Sequence, residues 1–151
     1  VADIGAGSGW FTVRAARRTT GKVFAVEINQ TYIVHIRNRA ATEKLPNILT
    51  VLGKFDDPSL PKESVDAVLI LKTYHEIEKP ITFMKNLKAA LRNGALVGII
   101  DKNGAGDDHG LDRDKVVDEL ARAVFVLKEE YYFVKGDRMD YFLVYEVGKS
   151  K

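Results

Sequence analysis

Three short stretches of this chain combine residue types that could do chemistry. The first is Asp3-Ile4-Gly5-Ala6-Gly7-Ser8-Gly9, in which glycine recurs at every second position. Glycine accepts backbone angles that a Cβ forbids, so such a run turns sharply and lets a ligand approach the main chain. The second is Glu27, which closes the apolar run Lys22–Glu27. An acid at the end of a second strand, downstream of a glycine loop that ends a first, can accept both hydroxyls of a ribose. The third is Lys72-Thr73-Tyr74-His75-Glu76, directly after the run Val65–Leu71. Histidine is the side chain most often used as a general base, so His75 is the candidate, with Glu76 or Tyr74 orienting it or the substrate.

The spacing of the glycines bears on the ligand. The dinucleotide fingerprint is G-x-G-x-x-G, whereas here the third glycine comes one residue early. Asp3 also precedes the first glycine by two positions, and a carboxylate near the loop suits a cationic or zwitterionic group better than a pyrophosphate. The expected ligand is therefore a nucleoside other than NAD.

These residues need elements to position them. Apolar periodicity alternates between short β-like runs and helix-like stretches, the pattern of a parallel sheet with crossover helices. Val1–Ile4 reads as the end of a first strand, Trp10–Arg18 as a helix and Lys22–Glu27 as a second strand. Asn29 is placed to cap a helix running to about Glu43, with Ile33, Ile36 and Ala40 on one face. Ile48–Leu52 is a third strand, and Val65–Leu71 a central one expected to be buried on both faces. A helix opens at Pro80, carries Met84, Leu87 and Leu91 inward, and is expected to stop at Asn93-Gly94. Ala95–Ile100 is the fifth strand, closed by Asp101, and Asp112–Arg122 the last helix. Phe125–Val134 and Asp140–Val147 leave no room for a helix between them and should form an antiparallel hairpin across Gly136-Asp137. Five β–α units and a hairpin follow from this reading. In an open sheet of this kind ligands sit outside the carboxyl ends of the strands, which puts Lys72–Glu76 beside the ligand.

Composition narrows the function classes. The 151 residues carry 23 Lys+Arg against 21 Asp+Glu, a net charge of +2 that excludes a polyanion binder driven by bulk charge. The cations are dispersed, so a nucleic-acid partner is not expected. There is no Cys, which removes disulfides, thiolate catalysis and Cys-based metal sites. No apolar run approaches a membrane span and no signal peptide opens the chain, so a cytoplasmic protein is expected. Val1 stands inside the first strand, and the chain reads as one domain, residues 1–151, whose beginning lies ahead of residue 1.

Asp3-x-Gly5-x-Gly7-x-Gly9, Glu27 ending the second strand, Gly53 with acidic residues before the Asp66 strand, and the terminal hairpin together resemble the class I S-adenosylmethionine-dependent methyltransferases. The resemblance spans essentially the whole chain. It implies a Rossmann-like doubly wound α/β sheet, mostly parallel, with a C-terminal antiparallel β-hairpin. It implies S-adenosyl-L-methionine as cofactor, with the loop (Asp3, Gly5, Ala6, Gly7, Gly9 and the adjoining Trp10) backing the methionine moiety. Glu27 and its neighbour Ile28 would hold the ribose, Phe55 and Asp56 would flank the adenine, and Lys72 would line the same site. At the adenine position Lys54-Phe55 departs from the family's usual acid–alanine pair. The segment Asp57–Pro61 with Tyr74-His75-Glu76 is also similar to small bacterial methyltransferases of unassigned substrate.

Other candidates carry less. His35 lies in a helix and is expected at the surface. The stretch from Asp101 to Asp112 lacks the ligands of a calcium loop and is not read as one, and no metal site is expected. Lys102–Gly110, with three glycines, is a candidate rim over the substrate that would bring in His109. The aromatic hairpin strands could pack in the core or form a surface between copies of the chain. The expected activity is methyl transfer to a small molecule in preference to a protein or nucleic acid. A non-catalytic cofactor-binding module and a nicotinamide-dependent oxidoreductase are the alternatives.

Overall fold

A computed structural model describes residues 1–104 and 110–148. It contains one seven-stranded sheet with the order β3-β2-β1-β4-β5-β7-β6. The strands are β1 (Ala2–Ile4), β2 (Val23–Glu27), β3 (Ile48–Leu52), β4 (Val65–Leu71), β5 (Leu91–Lys102), β6 (Phe125–Tyr131) and β7 (Asp140–Val147). The helices are α1 (Trp10–Ala16), α2 (Gln30–Thr42), α3 (Pro80–Lys88) and α4 (Arg113–Arg122). The first five strands pair in parallel, while β7 runs antiparallel to both β5 and β6. This is the expected doubly wound, mostly parallel sheet with its C-terminal hairpin.

Local chemistry accounts for the helix ends. Asn29 Oδ1 accepts from the Thr31 N–H at 2.8 Å, and Asp112 Oδ1 accepts from the Asp114 N–H at 2.7 Å. Pro80 opens α3, where its missing N–H has no partner to lose. Alternation along the strands then divides the core. Ala2, Ile4, Val68, Ile70, Val97, Ile99, Leu143 and Tyr145 meet Phe83, Met84, Leu87, Val116 and Leu120 of α3 and α4. A smaller cluster, including Val13, Ala25, Ile36 and Ile48, fills the opposite face beneath α1 and α2.

Four sequence expectations need correction. There are no five β–α units, because residues 53–64 join β3 to β4 without a helix. Helix α3 stops at Lys88, short of Asn93-Gly94. Ala90 O accepts from the N–H groups of Ser64 and Val65, and Leu91 already pairs with Val65, so β5 captures the chain before the glycine is reached. Gly94, at φ +76, serves the irregularity that moves the β4–β5 register between Val65 and Ala67. Central strand β4 buries Val65, Val68 and Ile70, but its other face is only half-covered at Ala67, Leu69 and Leu71. Finally, β6 ends at Tyr131, three residues before the expected boundary. Tyr141 and Tyr145 of the hairpin are buried, whereas Phe133 is exposed. Among the described residues no helix is long and apolar enough to cross a membrane. Of the Lys102–Gly110 rim, Ala105–His109 lie outside the described residues.

Candidate functional site

Strand order reverses between β1 and β4, and a crevice opens there at the carboxyl ends of the strands. The glycine loop forms one wall and the segment after β4 the other. Between them lies a cleft of about 360 Å³, within the usual range for small-molecule sites. Its lining runs from Gly5, Gly7, Glu27 and Ile28 past Tyr32, Lys54 and Phe55 to Lys72, Thr73, Glu76 and Ile77.

The loop is tied down by the neighbouring strand. Gly5, Gly7 and Gly9 all adopt left-handed φ, at +71, +52 and +78. The N–H groups of Gly5 and Ala6 both donate to Val26 O, at 2.9 and 3.1 Å, and Gly9 N donates to Ala6 O at 2.8 Å. Gly7 N donates to Glu27 Oε2 at 2.9 Å, while Glu27 Oε1 accepts from Ile28 N at 2.8 Å and Asn29 N at 3.1 Å. Glu27 is therefore both a wall of the cleft and the clamp that fixes the loop. A Cβ on Gly5 would lie 2.3 Å from Thr73 Cγ2, so the loop and the segment after β4 close on each other at a point where only glycine fits. A Cβ on Gly7 would meet nothing within 4 Å and would project into open space at the cleft.

Several expected site residues stand elsewhere. Asp3 is fully buried and accepts from Thr12 Oγ1 at 2.6 Å, which joins β1 to α1. Burial pushes its carboxyl up to about 6, against the opposing pull of the Thr12 hydrogen bonds. Ala6 and Gly9 shape the loop without lining the cleft. Trp10 is 54% exposed on the outer side of α1, with the Arg14 guanidinium 3.9 Å from its ring centroid. It borders a separate hollow with Val1, Phe11 and Arg14, because the first side chain of α1 points away from the crevice. Asp56 lies beside the start of α3, 3.9 Å from Lys79 Nζ, and only its neighbour Phe55 borders the cleft.

The segment after β4 divides in the same way. Tyr74 is 1% exposed and its hydroxyl donates to Glu119 Oε2 of α4 at 3.0 Å, so it belongs to the core and not beside a substrate. Burial, reinforced by Glu119, pushes its phenol well above the usual range and keeps it a donor. His75 is held by Asp101. Its Nδ1 lies 3.0 and 2.9 Å from the two carboxylate oxygens of Asp101, and its backbone N–H donates to Asp101 Oδ2 at 3.2 Å. A carboxylate only accepts, so Nδ1 is the nitrogen that donates to Asp101. Nε2 is 3.8 Å from Glu76 Oε1, and Glu76 lines the cleft. Lys72 leaves β4 at φ +54, lines the cleft, and places Nζ 2.6 Å from Asp140 Oδ1 at the start of β7.

Asp101 is the residue that reading the sequence missed. Its signal is its place at the end of a strand parallel to β4, in the register Leu71↔Ile100, which sets it beside the turn that carries His75. Tyr32, in the first turn of α2, is the other omission, and its clue is closeness to Glu27. Among the described residues no group of three or more acidic, His or Cys side chains could hold a metal ion.

A family model described as Methyltransferase domain matches residues 1–94. No curated protein matches the sequence. Among solved structures, a SAM dependent methyltransferase from Aquifex aeolicus superposes with a TM-score of 0.85 at 20% identity, covering 95% of this chain and 79% of that one. The glycopeptide N-methyltransferase MtfA, complexed with S-adenosyl-L-methionine, gives 0.84 at 14%, covering 98% and 81%. The cyclase SpnF gives 0.82 at 14%, covering 99% and 74%. At such identities these likenesses establish the Rossmann-like fold.

Proposed function

The chain belongs to the methyltransferase-domain family, and on that footing we propose that it transfers the methyl group of S-adenosylmethionine to a small-molecule nucleophile. The observation that carries this reading is the glycine loop clamped by Glu27 at the reversal of strand order, with an open cleft beside it. The cleft fits such a cofactor. Gly7 leaves room where a side chain would stand, and the exposed apolar surfaces of Ile28 and Phe55 offer walls for a flat base. The loop N–H groups of Gly5, Ala6, Gly7 and Gly9 are all engaged within the protein, which weighs against a pyrophosphate and hence against a nicotinamide dinucleotide.

Bound in this cleft, the cofactor supplies an electrophilic methyl carbon on a sulfonium, open to in-line displacement. Glu27 holds the ribose hydroxyls, and Gly5, Gly7 and Lys72 bound the rest of the site. His75 receives the proton that the acceptor gives up, at Nε2, while Asp101 holds the ring and balances the imidazolium charge. Glu76, at the cleft surface, places the acceptor against that nitrogen. SpnF shares the fold and is a cyclase, so the fold by itself does not carry the reaction. The His75–Asp101 pair, which stands behind Glu76 of the cleft wall and is not itself part of the lining, supports transfer to an acceptor that bears a proton.

Titration calorimetry with S-adenosylhomocysteine and NADH, side by side, tests the reading. The homocysteine compound should bind and NADH should not. Glu27→Ala should weaken binding by about ten- to a hundredfold, the loss expected for hydrogen bonds to a charged acceptor. Binding of NADH alone overturns the proposal, and unchanged affinity in Glu27→Ala removes Glu27 as the ribose ligand.

A further inference from the structure

A group of charges gathers at the start of β7. Asp140 has no exposed surface, yet two ammonium groups reach it, Lys72 Nζ at 2.6 Å from Oδ1 and Lys135 Nζ at 3.5 Å from Oδ2. Two cations thus share one buried carboxylate. Both lysine side chains keep contact with solvent, at 36% and 54% exposure. Lys72 pays for its position with a left-handed backbone, and such strain persists where the surroundings enforce it. Its ammonium is held by the last strand of the sheet while its side chain lines the cleft.

The place of this cluster in the fold is informative. Asp140 pairs with Lys102 across β5 and β7, one position from Asp101, the carboxylate that holds His75. The lysine cluster and His75 therefore stand at the same end of the sheet, past the end of β4 and away from Glu27. A buried carboxylate that pins two flexible ammonium groups lowers the entropy lost when they bind an anion. It also keeps their charge from being dispersed along the surface.

We propose that Lys72 and Lys135, fixed by Asp140, are the subsite for an anionic group of the methyl acceptor, so that the substrate is a small carboxylic acid methylated at a separate hydroxyl facing His75. This rests on the methyltransferase reading above. In the step itself, the hydroxyl oxygen forms the bond to the methyl carbon and the carbon–sulfur bond breaks. Its electron pair stays on sulfur, and the hydroxyl proton passes to His75 Nε2. The carboxylate takes no part except to anchor. The same ammonium groups could instead serve the cofactor's own amino-acid carboxylate, and the test separates the two sources.

Calorimetry on the full chain, unaltered and as Lys135→Met, provides three arms. In the first, the unaltered protein is titrated with S-adenosylhomocysteine, and absence of binding overturns the methyltransferase reading and this subsite with it. In the second, S-adenosylhomocysteine is compared with methylthioadenosine, which lacks the carboxylate. Lys135→Met should weaken neither, and a selective loss for the homocysteine compound assigns the cluster to the cofactor and overturns the proposal. In the third, protein saturated with S-adenosylhomocysteine is titrated with a panel of hydroxybenzoic and hydroxyalkanoic acids and their methyl esters. At least one acid should bind about tenfold or more tightly than its ester, a margin typical of charged hydrogen bonds. Lys135→Met should shrink that margin to about threefold or less. Equal binding of every acid and ester pair, or a margin that survives Lys135→Met, overturns the proposal.

Discussion

The two ends of the cleft are built from different materials. At the Glu27 end, main-chain groups and the one Glu27 carboxylate do the holding. Three left-handed glycines turn the loop, and the N–H groups of Gly5, Ala6 and Gly7 lock it to β2. At the His75 end, side chains do it, through the pairs His75–Asp101 and Lys72–Asp140, each joining the segment after β4 to a different strand. A backbone cradle admits almost no substitution, because its geometry is its function. Side-chain pairs can be exchanged while the sheet beneath them stays the same. One fold can therefore keep a common cofactor and present different acceptor sites.

The largest effect should come from the backbone end. Gly5→Ala combines a left-handed backbone with a Cβ 2.3 Å from Thr73 Cγ2. It should lower the unfolding free energy by about 3–5 kcal/mol and the Tm by about 10 °C. Gly7→Ala, with open space around its Cβ, should cost only the backbone part, about 1 kcal/mol. Urea denaturation of both, with Thr73→Gly as the relieving partner of Gly5→Ala, checks this. Equal losses at Gly5 and Gly7 would break the distinction between a closed and an open position in the loop.

Beneath the loop, Asp3 should make stability depend on pH. Its folded value of about 6 lies above the unfolded value of about 3.9, so the folded protein binds this proton more tightly. The stabilising effect of protonation is complete below about pH 4 and is lost as pH rises through 6. Asp3→Asn keeps an acceptor for Thr12 and removes the titration. Relative to the unaltered protein, the variant should gain about 2–3 kcal/mol between pH 4 and pH 7. Parallel unfolding curves at several pH values read that difference directly, and a constant offset would contradict it.

At the side-chain end, Asp101→Asn should spare S-adenosylhomocysteine affinity within about twofold while slowing transfer by about ten- to a hundredfold. The loss should fall on kcat with KM held within about twofold, because Asp101 holds the His75 ring and does not line the cleft. An equal loss in S-adenosylhomocysteine affinity would mark Asp101 as a purely structural residue and blur the contrast between the two ends.

The same contrast explains how much could be read before the structure was known. The loop and Glu27 lie close in sequence and announce themselves by residue type and strand position. The hairpin was legible for the same reason, as two adjacent runs with a turn between them. The pairs at the other end join single charges across parallel and antiparallel registers, and nothing local distinguishes Asp101 or Asp140 from a solvated strand end. Adjacency to His75 does not place Tyr74 at the cleft, because the short 3₁₀ turn over Tyr74–Glu76 leaves Tyr74 buried against Glu119 while Glu76 lines the cleft. Likewise, adjacency to the loop does not fix which way Trp10, the first residue of a helix, faces. Asn93-Gly94 has the composition of a helix stop, but pairing with Val65 reached Leu91 first.

The last strand of the described chain is not the last strand of the sheet. Because β7 slots between β5 and β6, the free edge of β5 has no partner until Asp140–Val147 has been made. On a ribosome, the strands around the glycine loop can assemble while the hairpin is still in the exit tunnel. The carboxylate that captures Lys72 arrives with β7. The nascent protein thus acquires its glycine loop early and the Lys72–Asp140 contact at the end, with an open strand edge in the interval that invites misassociation until the final ladder closes.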